Sequence, residues 1–177
     1  ILLMEKKDKE IYKGLSDTDA LTGLFNRRAF QTAVDETLLN RIAGVFIFID
    51  VDNFKDYNDK YGHANGDLCL KHFAATMKKC FPKDSILGRY GGDEFVVYIK
   101  NAASDDAHRY MDEFQREISH LMMSGGEHVT VSASAGGVAF IGEGEDFVSL
   151  CRSADNMLYD VKRNGKGTFK KKKKKNM

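Results

Sequence analysis

The stretch that most constrains the fold is GVFIFID, Gly44 to Asp50, a short and almost wholly apolar run of strand-forming residues. Such a run is typical of a strand that is buried on both faces. We therefore predict that it is the central strand of a sheet and that the other elements lie around it.

The apolar spacing predicts four helices. Asn26 is a candidate N-cap for the first helix, Pro82 would stop the second, and Ser104 would cap the third. The predicted helices cover 27–40, about 67–81, a segment after Ser104 whose apolar face is Ala107, Tyr110, Phe114, Ile118 and Leu121, and a last segment carrying Phe147, Leu150, Ala154, Leu158 and Val161.

Three further segments have strand character. Residues 85–90 and 94–100 flank Gly91 and Gly92 and are predicted to form a hairpin, and residues 128–140 are predicted to form one strand. Residues 58–67 are interpreted as a polar loop. This order of elements predicts an α+β fold with a central, mainly antiparallel sheet flanked by helices.

Composition excludes several classes of protein. The 177 residues suit one soluble domain, and a net charge of +1 provides no overall field for nucleic acid or a membrane surface. Cys69, Cys80 and Cys151 form no CxxC pair, which argues against a zinc, redox or disulfide framework and favours reduced thiols. We expect a cytoplasmic location, either free or as the cytoplasmic part of a membrane-anchored protein, with no nucleic-acid partner and no direct membrane contact.

The ends of the chain differ from its centre. Residues 1–16 are charged with loosely helical apolar spacing, and they suit equally a connecting helix from an upstream region or a frayed terminus. The apolar start suggests a piece excised from a longer protein. We assign 17–167 to one domain and 168–177 to a basic tail, whose lysine run, Lys170 to Lys175, is interpreted as solvated.

Acidic residues collect where the predicted strands end. Asp50 and Asp52 follow the apolar strand, and pairing with the glycine hairpin would bring Asp93 next to Asp50. Like carboxylates cannot all stay ionised without a cation, and Mg²⁺ binds carboxylates together with substrate phosphates. The alternative is that these residues only cap and solubilise strand ends.

Basic and amide side chains stand nearby in the sequence. Lys55 could neutralise a phosphate, and the segment from Asn58 to Asp67 could bind a base edge. Lys162 and Lys166 lie four residues apart at the end of the last helix and would share one face, although a simple charge interaction with the helix end is the alternative. The spacing supports a metal and phosphate site without naming a reaction.

RYGGDEF, Arg89 to Phe95, resembles the signature of the GGDEF domain family, the diguanylate cyclases. Other segments are similar to further family motifs in the same order, so the resemblance spans about 17–167. These segments are DALTGLFNRRAF (19–30), DVDNFKDYNDKYGHANGD (50–67) and ADNMLYDVKRNGK (154–166).

The resemblance implies a palm-like nucleotidyl cyclase fold and the condensation of two GTP molecules into cyclic di-GMP with release of two pyrophosphates. It also implies dependence on Mg²⁺, which Mn²⁺ could replace. Each family domain holds one GTP, so a homodimer would be needed for catalysis. An upstream sensor or signalling domain in the same chain is a further implied partner.

The resemblance also assigns roles to individual residues. Asp50 and Asp93 would bind the metal through their carboxylates and Val51 through its carbonyl, Asp93 would accept the 3′-hydroxyl proton, and Glu94 would have a supporting catalytic role. The remaining implied residues bind the substrate: Asn58 and Asp67 at the guanine edge, His63 and Phe54 close to the nucleotide, and Lys55, Lys162 and Lys166 at the phosphates.

The chain departs from the family pattern in two places. Many members carry an RxxD product-binding site where this chain has Pro82 to Ser85, so both charged partners are missing and we expect no tight product feedback there. Lys166 replaces the usual arginine and Gly167 a common asparagine, which removes bidentate phosphate geometry but keeps the charge.

Rival functions stay open at this point. A GTP-binding regulatory module is the first, but such members usually lack signature residues that are intact here. A cyclase that also accepts ATP is the second, and it is disfavoured because Asp67 is retained. A polymerase-like nucleotidyl transferase comes last, since the sequence has no basic template groove.

Overall fold

The computed structural model describes residues 17–123, 125–141 and 144–173. The helices are α1 (Arg27–Leu39), α2 (Phe54–Tyr61), α3 (His63–Cys80), α4 (Ser104–Ile118) and α5 (Phe147–Arg163). The strands are β1 (Gly44–Val51), β2 (Ile86–Arg89), β3 (Glu94–Lys100), β4 (Leu121–Met122), β5 (His128–Val129), β6 (Ala133–Phe140) and β7 (Phe169–Lys173).

One five-stranded sheet organises the domain, with strand order β2-β3-β1-β6-β7. β1 is antiparallel to both of its neighbours, β3 and β6, and β2 and β3 form the predicted hairpin. β7 is parallel to β6, and β4 and β5 pair separately. The prediction of an α+β fold with a mainly antiparallel central sheet is confirmed.

Helices cover both faces of the sheet, as the apolar run of β1 requires. Val45, Ile47 and Ile49 pack with buried residues of α3 and α4, whereas Phe46 and Phe48 pack with those of α1 and α5. All five side chains are at most 5% exposed. The predicted central strand therefore lies in the middle of the sheet, and the sheet is the middle layer of a three-layer domain.

The contact between β6 and α5 is unusually close. A Cβ atom on Gly136 would lie 2.2 Å from both the carbonyl oxygen of Ala154 and the amide nitrogen of Leu158. These are backbone atoms of α5 and cannot move aside as a flexible side chain could. Glycine at this position lets the last helix lie directly on the sheet.

The structure confirms one predicted helix cap and corrects another. The Asn26 side chain accepts a hydrogen bond from the amide of Ala29 (3.0 Å), which begins α1 as expected. α4 differs: Ser104 is its first residue and Ala103 its N-cap, while the Asp106 carboxylate accepts from the Ala103 amide (3.3 Å). Leu121, predicted on the face of α4, lies in β4 but is buried as expected.

The prediction of a polar loop over 58–67 is wrong. The segment contains the end of α2 and the first turn of α3, with Gly62 at a φ of +82° between them. The rings of Phe54, Tyr57 and Tyr61 share one side of α2, with centroids 6.4 Å and 5.0 Å apart along the series. We infer that contacts among these three rings stabilise α2, although the asparagine, aspartate and glycine residues around them favour turns.

Two strand predictions also need correction. Residues 128–140 do not form one strand, because residues 130–132 separate β5 from β6. The lysine run is not a solvated tail over Lys170–Lys173, since these residues belong to β7 and pair with β6. Lys174 and Lys175 lie outside the described residues, as does the predicted connecting helix over 1–16.

The cysteine side chains fit a reduced core. Cys69 and Cys80 are buried, Cys151 is partly buried, and all three are free thiols. Burial raises the pKa of the Cys69 thiol to about 12, so it is not nucleophilic near neutrality.

In the described ranges, no helix combines the length and the apolar character needed to cross a bilayer.

Candidate active site

Two acidic side chains face each other where β1 ends and β3 begins. The register pairs Asp50 directly with Glu94, and opposed residues of antiparallel strands project from the same face. Asp93 precedes Glu94 in the glycine turn, and its carbonyl oxygen accepts from the amide of Val51 (3.1 Å). The sequence predicted Asp93 next to Asp50, whereas the register makes Glu94 the direct partner of Asp50.

Electrostatics disfavour the charged forms of this pair. Burial raises the pKa of Asp50, and the charges of Asp93 and Asp52 raise it further, while Lys162 opposes them. Burial also raises the pKa of Glu94, with the charges of Asp50 and Asp93 adding to it. A hard divalent cation would remove this cost, and carboxylate oxygens are the ligands that Mg²⁺ prefers.

The acids do not converge into a complete metal site by themselves. Across the described ranges, no three histidine, cysteine, aspartate or glutamate side chains are arranged to hold an ion. Lys162 Nζ instead lies 2.8 Å from Asp50 Oδ2. The Asp50 side chain is 13% exposed and that of Lys162 37% exposed, so the lysine supplies a counter-charge from the solvent side.

Gly91 leaves room for the Glu94 carboxylate. A Cβ atom at Gly91 would lie 2.3 Å from Glu94 Oε2, whereas one at Gly92 would meet nothing within 4 Å. The amides of Tyr90 and Gly91 both donate to the carbonyl oxygen of Glu94, at 2.8 Å and 3.3 Å. A side chain at the first glycine would therefore displace the Glu94 carboxylate from its present position.

An arginine that sequence reasoning did not assign holds the turn in place. Arg89 donates from Nη1 to both carboxylate oxygens of Asp19 (3.1 and 3.2 Å), and from Nε and Nη2 to the carbonyl oxygen of Gly92 (3.2 and 2.7 Å). Burial would raise the pKa of Asp19, but hydrogen bonds from Thr22 and Arg89 lower it. Arg89 opens the RYGGDEF motif and Asp19 opens DALTGLFNRRAF, and this was the sequence signal that could have identified the pair.

The three predicted phosphate lysines lie in different elements of the structure. α5 ends at Arg163, so Lys166 does not share a helix face with Lys162 as predicted. Lys166 has a φ of +58°, and its Nζ donates to Asn53 Oδ1 (2.6 Å). Lys55 is exposed in the first turn of α2.

The residues implied for base recognition lie at the junction of α2 and α3. Asn58 Oδ1 is buried and has no hydrogen-bond partner among the described residues. Gly66 makes this possible, because a Cβ atom there would lie 1.8 Å from that oxygen. Asp67 follows Gly66 and is exposed, as is His63 at the start of α3. A buried amide oxygen without a donor is costly, which makes it a candidate ligand-binding atom.

Asp52, counted with Asp50 and Asp93 in the sequence, has a different setting. Its Oδ1 accepts from Ser134 Oγ (2.6 Å), and its Oδ2 accepts from Ser132 Oγ (2.7 Å) and the amide of Gly167 (3.0 Å). Both carboxylate oxygens therefore have protein donors. The sequence shows that Asp52 lies two residues after Asp50, but it does not show these hydrogen bonds to distant segments.

Comparison with known proteins gives a consistent result. The family described as "Diguanylate cyclase, GGDEF domain" matches residues 16–168. Cyclic di-GMP phosphodiesterase PdeR of Escherichia coli K12 is 33% identical over 168 residues, covering 93% of this chain and 25% of that protein. Diguanylate cyclase DgcM of the same strain is 31% identical, over 92% of this chain and 40% of that protein. The chain thus spans less than half the length of these relatives.

Solved structures share the fold. An N-terminally truncated mutant of TpbB, or YfiN, from Pseudomonas aeruginosa that comprises only the GGDEF domain has a TM-score of 0.82 and 30% identity, covering 87% of this chain and 93% of that one. The GGDEF domain of DgcB from Caulobacter crescentus, solved in complex with c-di-GMP, has a TM-score of 0.80 and 29% identity, covering 88% and 92%.

Proposed function

Because the chain belongs to the GGDEF domain family, whose pattern matches residues 16–168, we propose that it condenses two GTP molecules into cyclic di-GMP and releases two pyrophosphates. The observation that carries the proposal is the direct opposition of Asp50 and Glu94 beside the glycine turn, with Lys162 next to them. Acids and a lysine in this arrangement suit a nucleotide triphosphate bound with a divalent cation.

The oxygen donors at the ends of β1 and β3 fit a hard cation. The carboxylates of Asp50 and Asp93, with the carbonyl of Val51, would hold Mg²⁺ or Mn²⁺, Glu94 would support them, and phosphate oxygens of the nucleotide would complete the ligand set. The raised pKa values of Asp50 and Glu94 support this assignment, since a cation would stabilise the ionised forms of both. When bound, the ion would lower the pKa of the attacking hydroxyl and neutralise phosphate charge.

Three lysines would bind the phosphates. Lys55 and Lys166 are exposed, and Lys166 is directed by its bond to Asn53. Lys162 would exchange the carboxylate of Asp50 for a phosphate oxygen when the cation neutralises that acid. Each lysine carries its charge on a long flexible stem, which suits contact with phosphates that change position during the reaction.

Guanine would bind where α2 meets α3. The unpartnered Asn58 Oδ1 and the carboxylate of Asp67 are acceptors, and the guanine edge offers N–H donors to both. Adenine lacks this donor pattern and would leave the acceptors unpaired, so GTP is favoured over ATP. His63 and Phe54 would lie close to the nucleotide.

The chemical step forms a bond from the 3′-oxygen of one GTP to the α-phosphorus of the other and breaks the bond to pyrophosphate. The hydroxyl proton would pass to the Asp93 carboxylate. A domain that holds one GTP can position only one half of this exchange, so we propose that two copies meet face to face. An upstream sensor domain would then control catalysis by controlling that dimer.

The test is cyclic di-GMP production from GTP and Mg²⁺ as a function of protein concentration, beside an Asp93→Asn control. A rate per protomer that rises with concentration supports a dimeric cyclase, and the Asp93→Asn variant should be inactive while still binding GTP. Product formation that the substitution leaves unchanged would contradict the assignment of Asp93.

A catalytically weak, GTP-binding regulatory domain is the second candidate. Two observations favour it: the similar Escherichia coli protein PdeR bears the name of a phosphodiesterase, and Lys162 already neutralises Asp50. GTP binding without any cyclic product at high protein concentration would select this alternative.

A further inference from the structure

The carboxylate of Asp52 connects three separate segments. Asp52 follows β1, Ser132 directly precedes β6 and Ser134 is its second residue, and Gly167 lies in the loop after α5. Ser134 is fully buried, and its Oγ also accepts from the Gly167 amide (3.2 Å). The bonds to one carboxylate are charge-assisted and therefore stronger than neutral ones.

A second connection lies directly beside the first. Asn53, the next residue after Asp52, accepts from Lys166 Nζ, and Lys166 directly precedes Gly167. Asn53 and Lys166 have φ values of +55° and +58°, a left-handed conformation that residues with a Cβ atom adopt rarely. Such conformations persist only where surrounding contacts hold them.

We propose that Asp52 is a positioning residue for the triphosphate of the bound nucleotide. Through Gly167 it fixes the loop after α5, so that Lys166 is held at Asn53, close in the chain to Asp50, the residue that Lys162 of α5 contacts. This inference rests on the proposed function, because it takes GTP as the ligand. It assigns a role to a carboxylate that the sequence places with Asp50 and Asp93 at the strand ends and to which the resemblance gives none.

Direct metal binding is the competing role for Asp52. Its oxygens already accept three hydrogen bonds, and a carboxylate has about four lone-pair positions, so at most one is left for a cation unless Ser132, Ser134 or Gly167 loses its acceptor. A cation that displaced the Gly167 amide from the carboxylate would leave that amide only its longer bond to Ser134 Oγ (3.2 Å), which would loosen the loop when its lysine is needed. The geometry thus favours positioning over ligation.

The experiment measures the Kd values of GTP and GMP by isothermal titration in Mg²⁺ buffer. GMP keeps the base and one phosphate, so it tests the binding site without the triphosphate contacts. Asp52→Ala is expected to raise the Kd of GTP about tenfold, the lower end of what loss of an orienting partner costs, and to change that of GMP much less. Asp52→Asn keeps an acceptor oxygen for Gly167 and should restore most of the GTP affinity.

A double-mutant cycle with Lys166→Ala separates positioning from general damage. If Asp52 acts through the loop, the double variant should bind GTP about as well as Lys166→Ala alone. Asp106→Ala is the matched control, because it removes a carboxylate that accepts from a backbone amide at the start of α4. It should change neither Kd.

Several results would overturn the inference. Equal loss of GTP and GMP affinity in Asp52→Ala would indicate a purely structural role, and fully additive effects in the cycle would show that Asp52 does not act through Lys166. If Asp52→Ala does not fold, Ser132→Ala is measured instead, because it removes one of the three hydrogen bonds to the carboxylate. It too should raise the Kd of GTP more than that of GMP. Absence of GTP binding by the unmodified protein would instead contradict the proposed function.

Discussion

Neutralising Glu94 is predicted to stabilise the fold while it disables the site. Glu94 stands directly opposite Asp50, and burial together with the charges of Asp50 and Asp93 raises its pKa. Without a divalent cation, these charges repel one another in the folded protein and separate on unfolding. Glu94→Gln removes one charge from the cluster, keeps the side-chain shape, and leaves the backbone bonds of the turn unchanged.

The size of the effect follows from the strand register. Side chains opposed on antiparallel strands have Cβ atoms about 5 Å apart, so the two charges are about 6 Å apart. Two like charges at about 6 Å repel by about 0.7 kcal/mol in water and by about 3 kcal/mol at an effective dielectric constant of 20. Since Lys162 offsets part of this repulsion, we expect about 1 kcal/mol, which corresponds to a rise of about 2–4 °C in Tm for a protein of this size.

Thermal unfolding in EDTA at several pH values is the assay. A raised carboxyl pKa means that ionisation costs stability in the folded state, so the cost is fully present above the folded pKa of Glu94 and fades as pH falls through it. Below the ordinary glutamate pKa of 4.5 the side chain is protonated in both states. The Tm gain of Glu94→Gln should therefore be present at pH 7.5 and absent near pH 4.

Glu117→Gln is the control with the opposite expected sign. Glu117 is paired with Lys79 (2.6 Å), which lowers the pKa of the carboxyl, so removing that charge should not raise Tm. A gain for Glu94→Gln that persists at pH 4, or a Tm at pH 7.5 no higher than that of the unmodified protein, would refute the reasoning. Added Mg²⁺ should stabilise the unmodified protein more than the variant.

Three further predictions can be checked on the same material. Gly136→Ala should lower the free energy of unfolding by about 1–3 kcal/mol in a denaturation series, because its Cβ atom would overlap the backbone of α5. Arg89→Ala should cost about 1–3 kcal/mol through the lost bonds to Asp19, and the deficit should shrink as pH falls towards the lowered pKa of Asp19. Isothermal titration should find no tight cyclic di-GMP binding that depends on the Pro82–Ser85 turn.

The core of the fold could be predicted because its signals are local. The apolar run of β1, the glycine hairpin and the spacing of apolar residues in α1 and α5 each specify one element without reference to the rest of the chain. The unbroken apolar run of β1 also indicates that both of its faces are covered. These elements carry most of the buried side chains, so tertiary packing reinforces what the local pattern already favours.

Elements that depend on their neighbours could not be predicted. α2 contains asparagine, aspartate and lysine and ends at Gly62, so its composition suggests a turn, and only the packing of its aromatic side makes it helical. β7 is mostly lysine, a residue with low strand propensity. It forms because the loop after α5 delivers it to the free edge of β6, and lysines at a sheet edge also discourage pairing with other chains.

The candidate site divides in the same way. Residue types and motif order indicated the acids and lysines, but the opposition of Asp50 and Glu94 depends on the strand register. A shift of one residue in that register would put Asp93 or Phe95 opposite Asp50. The hydrogen bonds of Asp52 depend on three segments whose proximity no local pattern expresses.

The pairing of Lys162 with Asp50 links cation binding to nucleotide binding if the proposed function holds. Without a cation, the lysine is the nearest compensating charge for a buried acid and is held away from any phosphate. A cation at Asp50 removes the reason for that pairing, and the released ammonium group can then contact the triphosphate. The triphosphate in turn supplies further oxygen ligands, which the protein lacks because its acids do not converge into a three-ligand site within the described residues. Each ligand would thus complete the binding site of the other.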